Sequence, residues 1–132
     1  MDFYLDRENS WSRLIEEYNK YGTLVVAFDF DDTVYDYHKK GRMYRDVINL
    51  LRELKTINCY LICWTGNNDA CFVKKYLNEN RIPFDALNEN PPFHQSTSRK
   101  IYANAYLDDR GGLKQVFDEL YKLVITVKTK II

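Results

Sequence analysis

Three carboxylates and a hydroxyl directly follow an apolar run near the start of this chain. Asp29, Asp31, Asp32 and Thr33 come immediately after the run, which covers residues 24–28. Carboxylates of this kind can act as nucleophiles, transfer protons or bind a hard divalent cation. A solvated acidic turn has the same composition. The group is therefore a candidate site that needs support from the rest of the chain.

Polar residues also follow two later apolar runs. Thr65 and Gly66 end the second run, and Asp108 and Asp109 end a short run that lies downstream of Lys100. In open α/β sheets, ligands bind beyond the carboxyl ends of the strands. Carboxylates that meet there would repel one another and raise their pKa values unless a cation neutralised them. Mg²⁺, which prefers oxygen ligands, suits such a site.

The positions of these runs predict an alternation of helices and strands. Periodic apolar residues predict helices that position the strands. The predicted elements are a helix ending near Gly22, a strand at 24–30, a helix at 42–56, a strand at 59–64, a helix at 68–80, a short strand at 84–87, a strand before Asp108 and a helix at 111–122. The β-branched tail at 123–127 is predicted to form an edge strand.

This order of features resembles the haloacid dehalogenase superfamily, most of whose members are phosphatases. The segment Asp29-Phe30-Asp31-Asp32-Thr33 matches its first signature, and Thr65 matches the second. Lys100 matches the third, with Arg99 as the competing cation, and Asp108-Asp109 matches the fourth. The resemblance covers residues 24–110. It implies a Rossmann-like, doubly wound parallel sheet with helices on both faces and no cap domain.

The resemblance also implies roles for individual residues. Asp29 would be the nucleophile that becomes an aspartyl phosphate, and Asp31 would be the general acid and base. Thr65, Gly66 and Lys100 would bind the transferred phosphoryl group, and Thr33 would support the turn. Lys100 would also pair with the nucleophile and offset its charge. The residues implied for Mg²⁺ are the carboxylate of Asp29, the backbone carbonyl of Asp31, and Asp108 or Asp109. Asp32 stands where glycine is frequent, and we interpret it as a turn residue.

The expected function is that of a small, capless phosphatase-like hydrolase: a Mg²⁺-dependent phosphomonoester hydrolase with an unknown substrate. The alternatives are a phosphate-responsive binding module and an inactive scaffold with the same fold. Among enzymes, a nucleotide or polynucleotide-end phosphatase is the variant we keep open. A receiver-type module is disfavoured because its acidic pair lies at the first strand, whereas here the pair comes last. An inactive scaffold is disfavoured because Asp31 is present.

Composition and charge limit the possible partners. The 132 residues contain 19 Lys and Arg and 19 Asp and Glu, so the formal net charge is zero. There is no strong nucleic-acid signature, and a polyanionic substrate must be held by a local patch. We expect a single domain (1–22 an N-terminal helix, 24–122 the core, 123–132 a tail or edge strand), a phosphorylated small molecule or macromolecule end as substrate, and a possible homo-oligomer.

Several further expectations concern location and single residues. No segment has the length of a membrane span, and residues 1–6 lack the pattern of a signal peptide, so we expect a cytoplasmic protein without membrane contact. Cys59, Cys63 and Cys71 match neither a zinc spacing nor an even disulfide set, so we expect small buried residues in a reducing compartment. The loop Tyr35–Lys40 is expected to border the site, where its two lysines could favour a phosphate-bearing substrate, and His94 is expected at the surface.

Overall fold

The computed structural model describes residues 1–130. After a single 3₁₀ turn at Phe3–Leu5, helices and strands alternate along most of the chain. The elements are α1 (Arg7–Tyr21), β1 (Val25–Phe28), α2 (Arg45–Thr56), β2 (Tyr60–Cys63), α3 (Ala70–Glu79), β3 (Ala86–Leu87), β4 (Ala105–Leu107) and α4 (Leu113–Thr129). The predicted order of elements is confirmed over the described residues up to the start of α4.

The strands form one parallel sheet in the order β3-β2-β1-β4. Phe28 pairs with Cys63 of β2 on one side and with Leu107 of β4 on the other. The last residues of the three longest strands are therefore level with one another. Every residue that directly follows these strands lies at the same edge of the sheet.

Side chains of the central strands alternate between two apolar clusters. Val26 and Phe28 belong to the cluster that contains the buried residues of all four helices. Val25 and Ala27 belong to a smaller cluster on the other face. We call the first the helix face and the other the second face.

The second face is packed against an irregular segment, residues 88–104, that connects β3 to β4. Ile101 and Tyr102 belong to the second-face cluster, and the Tyr102 N–H donates to the Asn90 side chain (2.8 Å). The prediction of helices on both faces is therefore wrong for the described residues. Pro91-Pro92 and the polar residues after them lack a helical pattern, so the return connection crosses the sheet without forming a helix.

Local signals determine the ends of α1. The Asp6 carboxylate caps its first turn by accepting from the Glu8 N–H (2.9 Å), and Gly22 ends it with φ 69°. A left-handed residue at this position is strained for any side chain with a Cβ atom, so glycine is the favoured choice. The predicted end near Gly22 is confirmed.

The predicted edge strand at 123–127 is wrong, because α4 continues through Thr129. Leu120, Leu123 and Val124 are buried in the helix-face cluster, and Val127 packs against it. These residues extend the apolar stripe that begins at Leu113, so burial outweighs the β propensity of the branched side chains. Residues 131–132 of the predicted tail lie outside the described residues. None of the helices within residues 1–130 is long and apolar enough to cross a bilayer.

Candidate functional site

The sheet brings the predicted site residues of three strands to one edge. The Asp29 N–H donates to the Leu107 carbonyl (2.9 Å), and the Trp64 N–H donates to the Phe28 carbonyl (2.9 Å). Asp29, Trp64 and Asp108 consequently stand side by side just beyond the strand ends. Thr65 follows one residue later. The predicted grouping of strand ends is confirmed.

Three carboxylates form a cluster at this edge. One oxygen from each of Asp29, Asp108 and Asp109 lies within 4.8 Å of the others. Asp29 and Asp108 are partly buried, whereas Asp109 is exposed. Three convergent carboxylate oxygens are a donor set suited to a hard divalent cation such as Mg²⁺. The three carboxylates predicted to hold a metal are thus close to one another, and the Asp31 carboxylate is not part of this group.

The electrostatic environment of Asp29 reflects this crowding. Burial, a hydrogen bond shared with the Asp109 carboxyl and the charge of Asp108 together raise the pKa of Asp29 to about 7. Each cause disfavours the ionised form. A carboxyl group with this pKa is largely ionised at neutral pH only if a cation compensates its neighbours.

Asp31 lies two residues further along and differs from the cluster. Its Oδ1 atom is buried and has no hydrogen-bond partner in the described residues. Burial raises the pKa of Asp31, and hydrogen bonding from the Asn67 side chain opposes that rise. A carboxyl group with a raised pKa is suited to donate a proton near neutral pH.

Thr33 connects the turn after β1 to the turn after β4. Its buried hydroxyl donates to the Asp109 carboxylate and accepts from the Asp109 N–H, both at 3.3 Å. The Asp108 carboxylate accepts from the Arg110 N–H (2.9 Å). The predicted supporting role of Thr33 takes this specific form: it fixes Asp109 relative to the first acidic turn.

Thr65 and Gly66 form a polar turn after β2. Thr65 is nearly buried, and its hydroxyl oxygen accepts from the Asn67 N–H (3.1 Å). The Asn88 side chain clamps the Thr65 backbone, accepting from its N–H (2.8 Å) and donating to its carbonyl (3.0 Å). Gly66 is exposed, and a Cβ atom there would meet nothing within 4 Å.

Sequence reasoning missed the roles of Asn67 and Asn88. Asn67 stands beside both Thr65 and Asp31, and Asn88 follows β3 in a left-handed conformation with φ 54°. Asparagine tolerates this conformation better than most residues, and its side chain often bonds backbone groups. An asparagine directly after a strand was the available signal.

Lys100 is separated from the carboxylate cluster. Its exposed side chain places Nζ over the Tyr106 ring, 5.4 Å from the ring centroid. None of the ion pairs within residues 1–130 includes Lys100. The ion pair with the nucleophile that the resemblance implies is therefore not formed here. Arg99 is exposed as well and forms no ion pair within the same residues.

Asp32 is tied to the loop that follows it. Asp32 has φ 60°, a left-handed conformation that fits the frequent glycine at this position. Its carboxylate pairs with the His38 ring and accepts from the Tyr44 hydroxyl (3.4 Å). Burial acts to raise the pKa of Asp32, but the hydrogen bonds with His38 and Tyr44 outweigh burial and hold that pKa below its usual range.

The loop between Thr33 and α2 is longer than predicted, because α2 begins at Arg45 instead of residue 42. Tyr35 packs against the aromatic rings of Phe30, Phe72 and Tyr76 and so belongs to the core. Tyr37, His38, Lys39 and Lys40 are exposed, and His38 influences the pKa of Asp31. The loop therefore lies beside the acidic turn at His38 and at the Tyr35 backbone, whose carbonyl accepts from the Asp32 N–H (2.7 Å), whereas the Tyr35 ring packs into the core.

The remaining residues that the sequence singled out are His94 and the three cysteines. The half-buried His94 stacks on Tyr102 with ring centroids 4.1 Å apart. Burial raises the pKa of Cys59 to about 11 and of Cys63 to about 12, so both thiols stay protonated. These two are the small buried residues that the sequence predicts, whereas Cys71 is exposed.

Comparison with known proteins gives a likeness of fold. No family model matches the chain, and no curated protein matches it. A solved structure, described as that of a conserved protein from Bacteroides thetaiotaomicron, is similar with a TM-score of 0.60 and 24% sequence identity. The match covers 82% of this chain and 92% of that one. This likeness establishes a shared α/β fold.

Proposed function

We propose that this protein is a Mg²⁺-dependent phosphomonoester hydrolase that acts through an aspartyl-phosphate intermediate. The observation that carries the proposal is the convergence of Asp29 with Asp108 and Asp109 at the strand ends, with Asp31 two residues beyond the nucleophile. Such a constellation contains a nucleophile, a separate proton donor and a set of metal ligands. The resemblance to haloacid dehalogenase phosphatases assigns the same roles.

The metal site would consist of Asp29, Asp108 or Asp109, and the backbone carbonyl of Asp31. When bound, Mg²⁺ supplies positive charge that lowers the pKa of Asp29 and offsets the charge of the phosphate. The raised pKa of Asp29 supports this assignment, because the crowded carboxylates would otherwise keep the nucleophile partly protonated at neutral pH.

The reaction has two displacement steps at phosphorus. In the first, an Asp29 carboxylate oxygen forms a bond to phosphorus, the bond to the ester oxygen breaks, and Asp31 donates a proton to the leaving alcohol. In the second, Asp31 takes a proton from water as the water oxygen bonds to phosphorus. The bond between phosphorus and Asp29 then breaks, releasing inorganic phosphate and restoring both carboxyl groups. The raised pKa of Asp31 suits this alternation.

Thr65 and Gly66 would hold the transferred phosphoryl group. The Thr65 oxygen accepts a hydrogen bond from Asn67, so its own proton is available to a phosphate oxygen. The exposed N–H of Gly66 would add a second donor. Lys100 would contribute charge after its side chain leaves the Tyr106 ring. Thr33 would keep Asp109 in place during the reaction.

Hydrolysis of p-nitrophenyl phosphate tests the proposal. We expect turnover with Mg²⁺, loss of turnover in excess chelator, and loss of turnover in Asp29→Asn with the far-ultraviolet circular dichroism unchanged. Asp118→Asn is the matched control, since Asp118 pairs with Lys114 on the outer surface of α4. Wild-type turnover in Asp29→Asn would remove Asp29 from its role, and an absence of turnover in the wild type on all phosphomonoesters would favour an inactive scaffold.

A further inference from the structure

We propose that the substrate is the phosphorylated end of a single-stranded nucleic acid, whose internal phosphates lie along the basic loop, residues 38–45. This inference rests on the proposed function and adds a substrate class to it. It starts from a contrast in charge between the whole chain and this loop.

The basic loop concentrates positive charge in a chain that is neutral as a whole. Its eight residues contain four Lys and Arg and no acidic residue. Lys39, Lys40, Arg42 and Arg45 are all exposed, and none of them forms an ion pair with a residue in the range 1–130. Two carboxylates bind loop residues and offset part of this charge, so four positive charges against two negative ones leave a local surplus of about two. Such a surplus attracts a polyanion despite the zero net charge.

The loop is held in a defined conformation close to the carboxylates. The Asp36 carboxylate accepts hydrogen bonds from the N–H groups of Lys40 (3.0 Å), Gly41 (2.8 Å) and Arg42 (3.2 Å). His38 is attached to Asp32, the residue next to Asp31. These contacts hold the backbone from which the positive side chains extend, which distinguishes the loop from an unstructured run of lysines.

The arrangement of charge favours a chain of phosphates over a single one. Thr65 and Gly66 already provide donors for the reacting phosphate, so the basic loop is available to other anionic groups. Arg42 and Arg45 line a cavity of about 320 Å³ with Tyr44, and neither Asp29 nor Asp31 lines it. The cavity is also lined by Arg52 of α2 and by Asp36, so basic side chains extend from the loop onto α2 with one carboxylate among them. Successive phosphates of a nucleic acid match such a track.

The exposed aromatic side chain of Trp64 lies on the side of the site opposite the basic loop. Trp64 directly precedes Thr65, is 37% exposed, and contacts Tyr106 with ring centroids 5.7 Å apart. Tyr106 packs on the second-face cluster, so the Trp64 side chain lies on the second face of the sheet and not on the helix face. Its ring is available to a terminal base, and stacking on aromatic rings is the common mode for unpaired bases. This is why we assign a single strand.

Binding without turnover provides the first test. Labelled ten-nucleotide single strands with a 5′- or a 3′-phosphate are titrated into Asp29→Asn and followed by fluorescence anisotropy. Lys39→Asn/Lys40→Gln, made in that background, removes two loop charges; asparagine suits the positive φ of 54° at position 39. Lys20→Gln/Lys130→Gln removes two charges near the carboxyl ends of α1 and α4 and is the matched control.

We expect the loop variant to bind at least one of the two strands more weakly than the control does. The slope of log Kd against log salt concentration should fall by about 1.4, since each lost phosphate contact on a single strand accounts for about 0.7. Equal affinity of loop variant and control would overturn the inference. Tighter binding to anionic phospholipid vesicles than to either oligonucleotide would overturn it as well.

Turnover separates this inference from the proposed function. In the otherwise wild-type protein, the loop variant should lose more kcat/KM on the phosphorylated oligonucleotide than on p-nitrophenyl phosphate. Hydrolysis of p-nitrophenyl phosphate with no preference for the oligonucleotide over a nucleoside monophosphate would overturn the substrate assignment and leave the phosphatase proposal intact. Hydrolysis of neither substrate would contradict the phosphatase proposal and the substrate assignment together.

Discussion

At the scale of single residues, Asp29 is placed where its charge is costly. Burial and two neighbouring carboxylates raise its pKa to about 7, against an ordinary value near 4. The ionised form is therefore disfavoured in the folded protein without metal. In the proposed metal site the same crowding would provide the ligands for a cation, so instability without metal and metal binding would have one cause.

Asp29→Asn should stabilise the metal-free protein while it abolishes hydrolysis. The amide removes one charge from the repelling group and keeps the shape of the side chain. In chelator at pH 8, we expect the Tm to rise by roughly 3 °C or more, which for a domain of this size corresponds to about 1 kcal/mol. Differential scanning calorimetry checks the shift, with Asp118→Asn as the surface control. A lower Tm in Asp29→Asn would show that the carboxylates do not repel.

The effect of Mg²⁺ on stability should increase with pH. Because the folded pKa of Asp29 is raised, its contribution to stability is fully present below about pH 4 and is lost as the pH rises through about 7. Under the proposed function Mg²⁺ would bind the ionised cluster, so it should raise the Tm more at pH 8 than at pH 5. Thermal unfolding with and without Mg²⁺ measures the difference.

The double variant Asp108→Ala/Asp109→Ala provides the control for this pH effect. It should lose the Tm response to Mg²⁺ and require far more metal for turnover, if turnover remains. An equal Mg²⁺ response at both pH values would contradict the assignment of the metal to these carboxylates. Full activity of the wild type in excess chelator would contradict the need for a metal.

At the scale of elements, the basic loop depends on one anchoring carboxylate. Asp36→Ala would leave the N–H groups of Lys40, Gly41 and Arg42 without their shared acceptor. We expect faster amide hydrogen exchange across residues 37–44 with little change in the Tm, because this loop is exposed. The KM for a phosphorylated oligonucleotide should rise more than that for p-nitrophenyl phosphate.

A comparison with Asp118→Ala tests whether this effect of Asp36 is specific. That variant also removes a surface carboxylate, but on α4, and should leave exchange of residues 37–44 as it is in the wild type. Unchanged exchange in Asp36→Ala would show that the three hydrogen bonds do not order the loop. The inference about the track of positive charge would then lose its structural basis.

Much of the grouping of the candidate site residues could be predicted, because local sequence patterns mark the ends of the strands. Apolar runs that stop at Asp29, Thr65 and Asp108 predict three strands, and parallel pairing then brings those residues to one edge. The position of Lys100 could not be predicted in the same way. It lies in the irregular segment 88–104, whose path depends on packing against the second face and not on a periodic pattern.

In the C-terminal segment 123–127, tertiary packing overrides a local sequence signal. Residues 123–127 contain β-branched side chains that favour a strand when the segment is considered alone. In the fold, Leu123 and Val124 continue the buried stripe of α4. Tertiary packing decides between the two structures, and the information for that decision is distributed over α1 and α2, which contact α4.

At the scale of the whole molecule, the sheet is covered unequally and the acidic edge is open. Helices pack on one face, whereas the second face has only the irregular segment within the described residues. Asp109 and Gly66 are both exposed. Two arrangements could cover a reacting phosphate here: a large substrate that lies across the site, or a second copy of the chain.

The charge of the basic loop favours the first arrangement, so we expect a monomer to be fully active on phosphorylated oligonucleotides. Small esters should be hydrolysed with a kcat/KM at least tenfold lower, because they lack the remote contacts that orient a longer substrate. Light scattering and kinetics over a range of protein concentrations check both points. Activity that appears only with an oligomer, or a monomer selective for one small metabolite, would contradict this expectation.

The proposed mechanism requires Asp29 to carry the phosphoryl group during turnover. The most direct measurement is to quench the enzyme in acid during hydrolysis of p-nitrophenyl phosphate with Mg²⁺, digest it, and determine peptide masses. We expect the peptide containing Asp29 to gain the mass of one phosphoryl group, with fragmentation that places the group on Asp29. Asp29→Asn should show no such gain. Turnover with no phosphorylated peptide, or a phosphoryl group on another residue, would contradict this mechanism.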